Sequence, residues 1–212
     1  MCSGRVDLSF VLRAFSNGTD GVFIGGCHLN ECHYITDGNY HALSMVLICR
    51  KILSSLQINP ERLRLESMSA GEGIHFAEVM NDFSRKLREM GPLGKAEGID
   101  PDSLQFRLES ATQLVPYIKL VERERLRINV RSEEEYRRFF ASAEVDRLFG
   151  ELVLDKLAIN QILMLLRKEP RSTGELAGVL GVSPTEVTRH LNNSAKLGLA
   201  RFDQNRKRYV AA

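Results

Sequence analysis

The chain has 212 residues, enough for one medium domain or two small ones with a real core, and its 43% apolar and 26% charged residues are those of an ordinary globular protein. A formal charge of +2 gives no reason to expect a polyanion partner for the molecule as a whole, but residues 155–212 carry 10 Lys/Arg against 5 Asp/Glu, a net of +5, which leaves −3 for residues 1–154. No apolar run reaches the roughly 18 residues of a membrane span and the N-terminus lacks a basic-then-apolar signal layout, so the expected location is the cytoplasm, with no membrane partner.

Met1-Cys2-Ser3-Gly4-Arg5-Val6 opens the chain with a cysteine and a glycine and no strand before them. Asp7 then caps a short helix whose apolar positions Leu8, Val11, Leu12 and Phe15 follow helical spacing, ending at Asn17-Gly18. Residues 21–26 read as a buried strand. A second helix from Asn39 to about Leu56 turns Ala42, Met45, Val46, Cys49 and Leu53 to one face, which makes Cys49 a core residue. Asn59-Pro60-Glu61 leads into a strand over 63–68, and Ala70-Gly71-Glu72-Gly73 opens a third helix with Phe76, Val79, Met80, Phe83 and Leu87 inward. Helix, strand, helix, strand, helix predicts a partial parallel α/β sheet, a flavodoxin-like fragment, because two strands are too few to stand alone.

Gly91-Pro92-Leu93-Gly94 is the clearest boundary. After it a helix starts at Asp100-Pro101 and runs to about Glu124 with a break or kink at Pro116, Ser132-Glu133-Glu134-Glu135 is a capping box, and another helical run spans about 145–168. Ser172 with Glu175, and Ser183-Pro184-Thr185-Glu186, start two short helices joined by a tight turn at Gly181. Residues 199–210 then form a hairpin, completing a winged helix-turn-helix. The expected division is an α/β domain over 1–92, a helical linker over 93–150 and a winged helix-turn-helix domain over 151–212.

Two places can carry chemistry. Gly25-Gly26-Cys27-His28-Leu29-Asn30-Glu31-Cys32-His33-Tyr34 puts two thiols and two imidazoles on a turn after a strand, where loops of an α/β fold converge. A buried strand-closing cysteine and a Cys/His nucleophile are the other readings of Cys27, but the nucleophile has no orienting Asn/Asp or oxyanion motif beside it, and metal or cluster binding leads. Four cysteines in such a chain favour metal or redox use over a disulfide framework. The second place is the basic end. Arg189, Asn192, Asn193 and Lys196 on its last helix and Arg206, Lys207 and Arg208 on the wing are of types that contact bases and phosphates, while docking onto protein is the other use of such a domain.

The Met1-to-Asp7 segment, Gly26-Cys27-His28, Glu31-Cys32-His33-Tyr34, Gly38-Asn39-Tyr40, Asn59-Pro60-Glu61-Arg62 and Ser69-Ala70-Gly71-Glu72-Gly73 together resemble the iron-sulfur delta subunit of methyl-viologen-reducing (F420-non-reducing) hydrogenases, over about residues 1–92. The resemblance implies a 2Fe-2S electron-transfer protein that relays electrons between a hydrogenase or formate dehydrogenase module and the flavin subunit of a heterodisulfide-reductase-like complex. It implies Cys2, Cys27 and Cys32 as cluster ligands, with His28 and His33 supplying hydrogen bonds to the sulfurs, and leaves Cys49 outside the ligand set. The family pattern starts with a further strand, a Cys-x-x-Cys element and a helix upstream of Met-Cys-Ser-Gly-Arg. The upstream DNA is therefore expected to continue the reading frame, through an in-frame selenocysteine codon such as some relatives carry. Without those upstream cysteines the chain offers three family thiols where a cluster takes four. The helical segment and winged helix after Gly94 have no counterpart in the simple delta subunits, and they open the alternative of a redox- or metal-responsive DNA-binding regulator.

Overall fold

The computed structural model describes residues 2–34 and 38–212, so Met1 of the opening motif lies outside the described residues. The chain divides into two compact units, Met1–Asp146 and Arg147–Ala212.

In the first unit a 3₁₀ turn at Ser3–Arg5 precedes α1 (Leu8–Ser16). The Asp7 carboxylate caps α1 by accepting the Ser9 N–H, and Leu8, Val11, Leu12 and Phe15 are buried as their spacing predicts. Strand β1 (Val22–Gly26), helix α2 (Asn39–Ser55) and strand β2 (Leu63–Ser67) form one βαβ unit. The strands run parallel, Val22 opposite Leu63 and Gly26 opposite Ser67. The expected α/β order is thus present as a small two-stranded parallel sheet in a mostly helical chain. Helix α2 is the centre of the core: Ala42, Val46, Cys49, Ile52 and Leu53 are enclosed, and burial pushes the Cys49 thiol up to about 12.

Helix α3 (Gly73–Met90) departs from its expected inward face. Val79 and Phe83 are buried, but Phe76 is 47% exposed and Met80 and Leu87 are half-buried. Two five-residue strands cannot cover a helix of 18 residues, so its first turns overhang the sheet. Phe76 meets Phe23 of β1 edge-on at 6.3 Å, and Phe83 lies 6.1 Å from the same ring.

A fully buried guanidinium fixes the other end of the sheet. Arg62 donates to both carboxylate oxygens of Glu97 at 2.6 and 3.3 Å, to the Asp20 carbonyl at 2.9 Å and to the Gly91 carbonyl at 2.9 Å. One side chain therefore joins the approach to β1, the start of β2 and the chain after α3.

Beyond Gly94, α4 (Pro101–Gln113) and α5 (Val115–Arg125) are separated at Leu114, with Pro116 in the first turn of α5 where its missing N–H costs nothing. Helix α6 (Glu133–Phe140) is capped by Ser132, but the Glu135 carboxylate turns to Arg138, so only half of the expected box forms. These helices share the core of the first ninety residues: α4 packs on α1, the Ser44 hydroxyl donates to Glu122 at 2.9 Å, and Tyr40 stacks on Tyr136 at 5.2 Å.

Helix α7 (Ala143–Phe149), a π-helical turn at Gly150–Leu154 and α8 (Asp155–Lys168) make up the helical run expected from about 145 to 168. In the second unit α9 (Thr173–Leu180) and α10 (Pro184–Lys196) both start with complete capping boxes, and Gly181 takes the left-handed conformation (φ 67°) that ends α9. Strands β3 (Ala200–Asp203) and β4 (Arg208–Ala211) pair antiparallel in a hairpin. Among the described residues no helix is long and apolar enough to cross a membrane.

Two of these polar ties, one at the surface and one buried, give stability predictions. Burial opposes ionisation of Asp7, but Lys119 at 2.5 Å and the Ser9 amide outweigh it and take its pKa down to about 2. A depressed carboxylate stabilises the fold above its unfolded pKa and loses that contribution as pH falls through the folded value. Asn caps a helix as well as Asp, so Asp7→Asn isolates the charge. Urea unfolding is expected to show a loss of about 1 kcal/mol at pH 7, shrinking between about pH 4 and pH 2. Arg62→Met, which strands the Glu97 carboxylate, is expected to lower the unfolding free energy by about 3–5 kcal/mol in the same assay.

Candidate functional site

The carboxyl ends of β1 and β2 are tied together by the Met68 N–H, which donates to the Gly26 carbonyl at 2.7 Å. From this rim the chain turns through Cys27 and His28. Asn30 takes a left-handed conformation (φ 74°), which asparagine tolerates, and its side chain accepts the Tyr40 hydroxyl at 2.9 Å. The turn brings Cys32 back to the start of α2.

Two glycines make the close approaches possible. A Cβ on Gly38, the residue before α2, would stand 2.3 Å from Cys32 Sγ, and one on Gly26 would stand 2.6 Å from Ser3 Oγ. The first lets a sulfur sit against the end of a helix; the second lets the 3₁₀ turn that carries Cys2 lie against the end of β1. Cys2 caps that turn, accepting the Gly4 N–H at its sulfur (3.4 Å).

The sequence-predicted ligands come together. Cys2 Sγ and Cys32 Sγ are 3.7 Å apart, and Cys27 lies beside them on the same cleft. All three line one cleft of about 690 Å³, with His33, Met68, Ser69 and Phe76 on its walls. Cys49 is elsewhere, enclosed in α2. Two thiolates held about 2.3 Å from one tetrahedral ion stand about 3.8 Å apart, so the Cys2–Cys32 spacing fits a shared iron or zinc ligand pair. Among the described residues no group of three or more His, Cys, Asp and Glu side chains makes a closed site for a single ion.

The thiols are electrostatically unequal. Burial raises the Cys27 pKa, and its neighbours Cys32 and Cys2 raise it further. Burial opposes ionisation of Cys32 as well, but there the Asn39 and Tyr34 amides and the two other thiols prevail and lower its pKa. An amide at a helix N-terminus favours a thiolate, which is the physical cause of the lowering at Cys32.

The two histidines have different surroundings. His28 Nε2 is 2.6 Å from Glu72 Oε2, a contact that raises the histidine pKa and, together with the Ser69 N–H, holds the Glu72 pKa down to about 2. This pair ties the loop after β1 to the loop after β2. His33 lines the cleft, edge-on to Tyr34 at 5.2 Å.

Sequence reasoning gave no role to Asn39, Glu72 or Ser3, although each lies in a quoted motif. The Asn39 carboxamide is buried and donates to the His28 carbonyl at 2.7 Å, to the Cys27 carbonyl at 3.2 Å and to Cys27 Sγ at 3.7 Å.

In the second unit Asn192, Asn193 and Lys196 are exposed on α10. Arg189 is held by Asp155 at 2.9 and 3.3 Å. Arg208 is held by Glu175 at 2.8 Å and by the Pro170 carbonyl at 3.1 Å, Arg206 lies 3.9 Å from Asp203, and Lys207 is exposed at the hairpin turn.

A βαβ unit with three thiols gathered at its carboxyl rim, in a chain that also carries a helix-turn-helix, defines a cysteine-site protein. Residues 1–91 match the family of the methyl-viologen-reducing hydrogenase delta subunit, and the chain belongs to that family. Residues 160–201 match the bacterial regulatory proteins of the arsR family. The chain is 52% identical over 91 residues to the iron-sulfur subunit of the F420-non-reducing hydrogenase of Archaeoglobus profundus, covering 43% of this chain and 66% of that one. It is 49% identical over 92 residues to the iron-sulfur subunit of the vhc F420-non-reducing hydrogenase of Methanococcus voltae, covering 43% and 63%. It is also 40% identical over 94 residues to one subunit of the ferredoxin:CoB-CoM heterodisulfide reductase of Methanosarcina mazei, covering 44% of this chain and 12% of that one. The chain thus spans just under two thirds of these hydrogenase subunits and a small part of the reductase polypeptide.

Thiol titration checks the geometry. In metal-stripped, reduced protein, three of the four cysteines are expected to react rapidly with Ellman's reagent and the fourth, Cys49, only after unfolding in guanidinium. Rapid reaction of all four would show that Cys49 is not enclosed; fewer than three would show that the cleft thiols are not reachable.

Proposed function

We propose that the chain is an iron-sulfur electron-transfer subunit in which Cys2, Cys27 and Cys32 hold a 2Fe-2S cluster. The single observation that carries this is the gathering of three thiols from two segments in one cleft, two of them at tetrahedral ligand spacing. When bound, such a cluster accepts and releases one electron at a time. The chain's own residues do the rest. Asn39 and the Cys32-facing amides fix the sulfurs, the Ser69-Glu72-His28 tie holds the two rim loops together, and Met68 and Phe76 give the cleft an apolar wall. Of the two imidazoles, His33 lines the cleft while His28 is engaged by Glu72. With Cys49 enclosed in α2, it is not the fourth ligand.

The relatives' names support a hydrogenase on one side and a heterodisulfide reductase on the other; a formate dehydrogenase module in place of the hydrogenase, and the flavin subunit as the docking partner, are the finer parts of the proposal. Occurrence of the same stretch inside a polypeptide of the reductase supports docking against that polypeptide. The parallel pair joined by α2 is the repeat from which flavodoxin-like sheets are built, and we read the sheet as a fragment of one, over residues 1–92, followed by a helical segment to about 150. Helices α9 and α10 with the β3–β4 hairpin are read as a winged helix over 151–212 that docks onto protein. The assembly belongs in the cytoplasm.

The arsR-family match favours a second reading, a redox- or metal-responsive regulator that contacts DNA through Asn192, Asn193, Lys196 and Lys207, with Arg189, Arg206 and Arg208 recruited from their internal ion pairs. Strongly salt-dependent retention of DNA, in place of reduction by a partner flavoprotein, would favour that regulator.

Anaerobically isolated protein is expected to contain about two iron and two acid-labile sulfide per chain, with visible absorption that Cys27→Ala abolishes. A metal-free product from cells supplied with iron and sulfide would overturn the electron-transfer reading.

A further inference from the structure

Ser3 lies between Cys2 and Gly4, the residue whose amide bonds Cys2 Sγ. Its hydroxyl oxygen is buried and has no hydrogen-bond partner among the described residues. A hydroxyl in that condition is costly, and hydroxyls usually rotate to avoid it. The space it occupies is kept by a neighbour of another ligand: a Cβ on Gly26, which precedes Cys27, would come within 2.6 Å of the oxygen. Ser3, Gly26 and the three thiols all line the same cleft. An O–H set between the backbones of two ligand cysteines is a donor from which thiolate or sulfide sulfur can accept.

We propose that Ser3 is a positioning residue whose O–H donates a hydrogen bond to an anionic sulfur of the group held by Cys2, Cys27 and Cys32, either a ligand thiolate or a bridging sulfide. This rests on the cluster reading given above. The hydroxyl keeps its proton and no covalent bond forms or breaks. One electron, from the titrant or the partner redox protein, enters the group and makes its sulfurs more negative. A hydrogen bond to sulfur strengthens with that charge, so it stabilises the reduced form more than the oxidised one and raises the potential. Gly26 is then required so that this hydroxyl can stand where it does, as well as for the turn of the chain.

The test compares wild type, Ser3→Ala and Ser3→Thr as full-length anaerobic proteins, measuring iron and sulfide per chain, midpoint potential by EPR-monitored titration, and thermal stability. Ser3→Ala is expected to keep its iron and sulfide and to shift to a more negative potential, with Ser3→Thr, which retains the hydroxyl, returning toward wild type. Loss of iron from the alanine variant alone would also support the hydroxyl's role. An unchanged potential in iron-replete Ser3→Ala, or loss of iron from both variants alike, would overturn the proposal and leave the residue a packing role. Wild type without iron would overturn the cluster reading itself, a different and separable result.

Discussion

The site depends on one buried carboxamide. Asn39 is the first residue of α2, where backbone amides have no partner inside the helix and are free to bond elsewhere. Its N–H favours the thiolate of Cys32, and its side chain donates to the carbonyls of Cys27 and His28 and to Cys27 Sγ. The loop that carries Cys27 and Cys32 is therefore referred to one residue. That residue in turn begins a helix of 17 residues that contributes more enclosed side chains to the first unit's core than any other element. Movement of Cys27 away from the start of α2 breaks the Asn39 hydrogen bonds, and core burial opposes a shift of α2 to follow it.

The same arrangement sorts the thiols. A helix N-terminus supplies partial positive charge and unspent donors, and Cys32 sits there because Gly38 has no side chain to exclude it. Cys27, one loop away, has the carboxamide as its donor and two thiols as its neighbours, and its ionisation is disfavoured. Metal binding requires all thiols to be deprotonated, and the helix N-terminus favours that form at Cys32. The His28–Glu72 tie acts on the walls of the cleft, holding the two rim loops at a fixed separation.

Much of this was legible in the residues. Helix starts with a chemical signature were read correctly: Asp7, the box at Ser172 and Glu175, the box at Ser183 and Glu186, and the turn at Gly181 are local devices, complete within a few residues. The cysteine loop and the strand before it were legible for the same reason. The face of α3 was not, because periodicity shows which side of a helix is apolar but not how much sheet lies beneath it, and Phe76 ended at the cleft rim. Asn39 and Glu72 could not be assigned because their partners lie 11 and 44 residues away along the chain. Arg62 read as one more charge at a turn, yet it is fully buried against a carboxylate 35 residues on. Sequence patterns report burial poorly when the buried group is a charge that a distant partner neutralises.

Arg62 also explains how so small a sheet can support a site. A pair of parallel strands has little stability of its own, and its register is weakly held by ten residues of pairing. Arg62 pins the amino end by joining the carbonyls of Asp20 and Gly91 to Glu97 and to the start of β2. The Met68 amide, Asn39 and the His28–Glu72 pair pin the carboxyl end. A buried ion pair adds little net stability over well-packed apolar residues, but a guanidinium with four partners at fixed angles accepts one register and rejects the slipped ones. A slip of one residue would turn every side chain on the strand to the opposite face and carry Gly26 away from Ser3. The polar clamp at the start of the strands is thus what allows the thiols at their far end to meet.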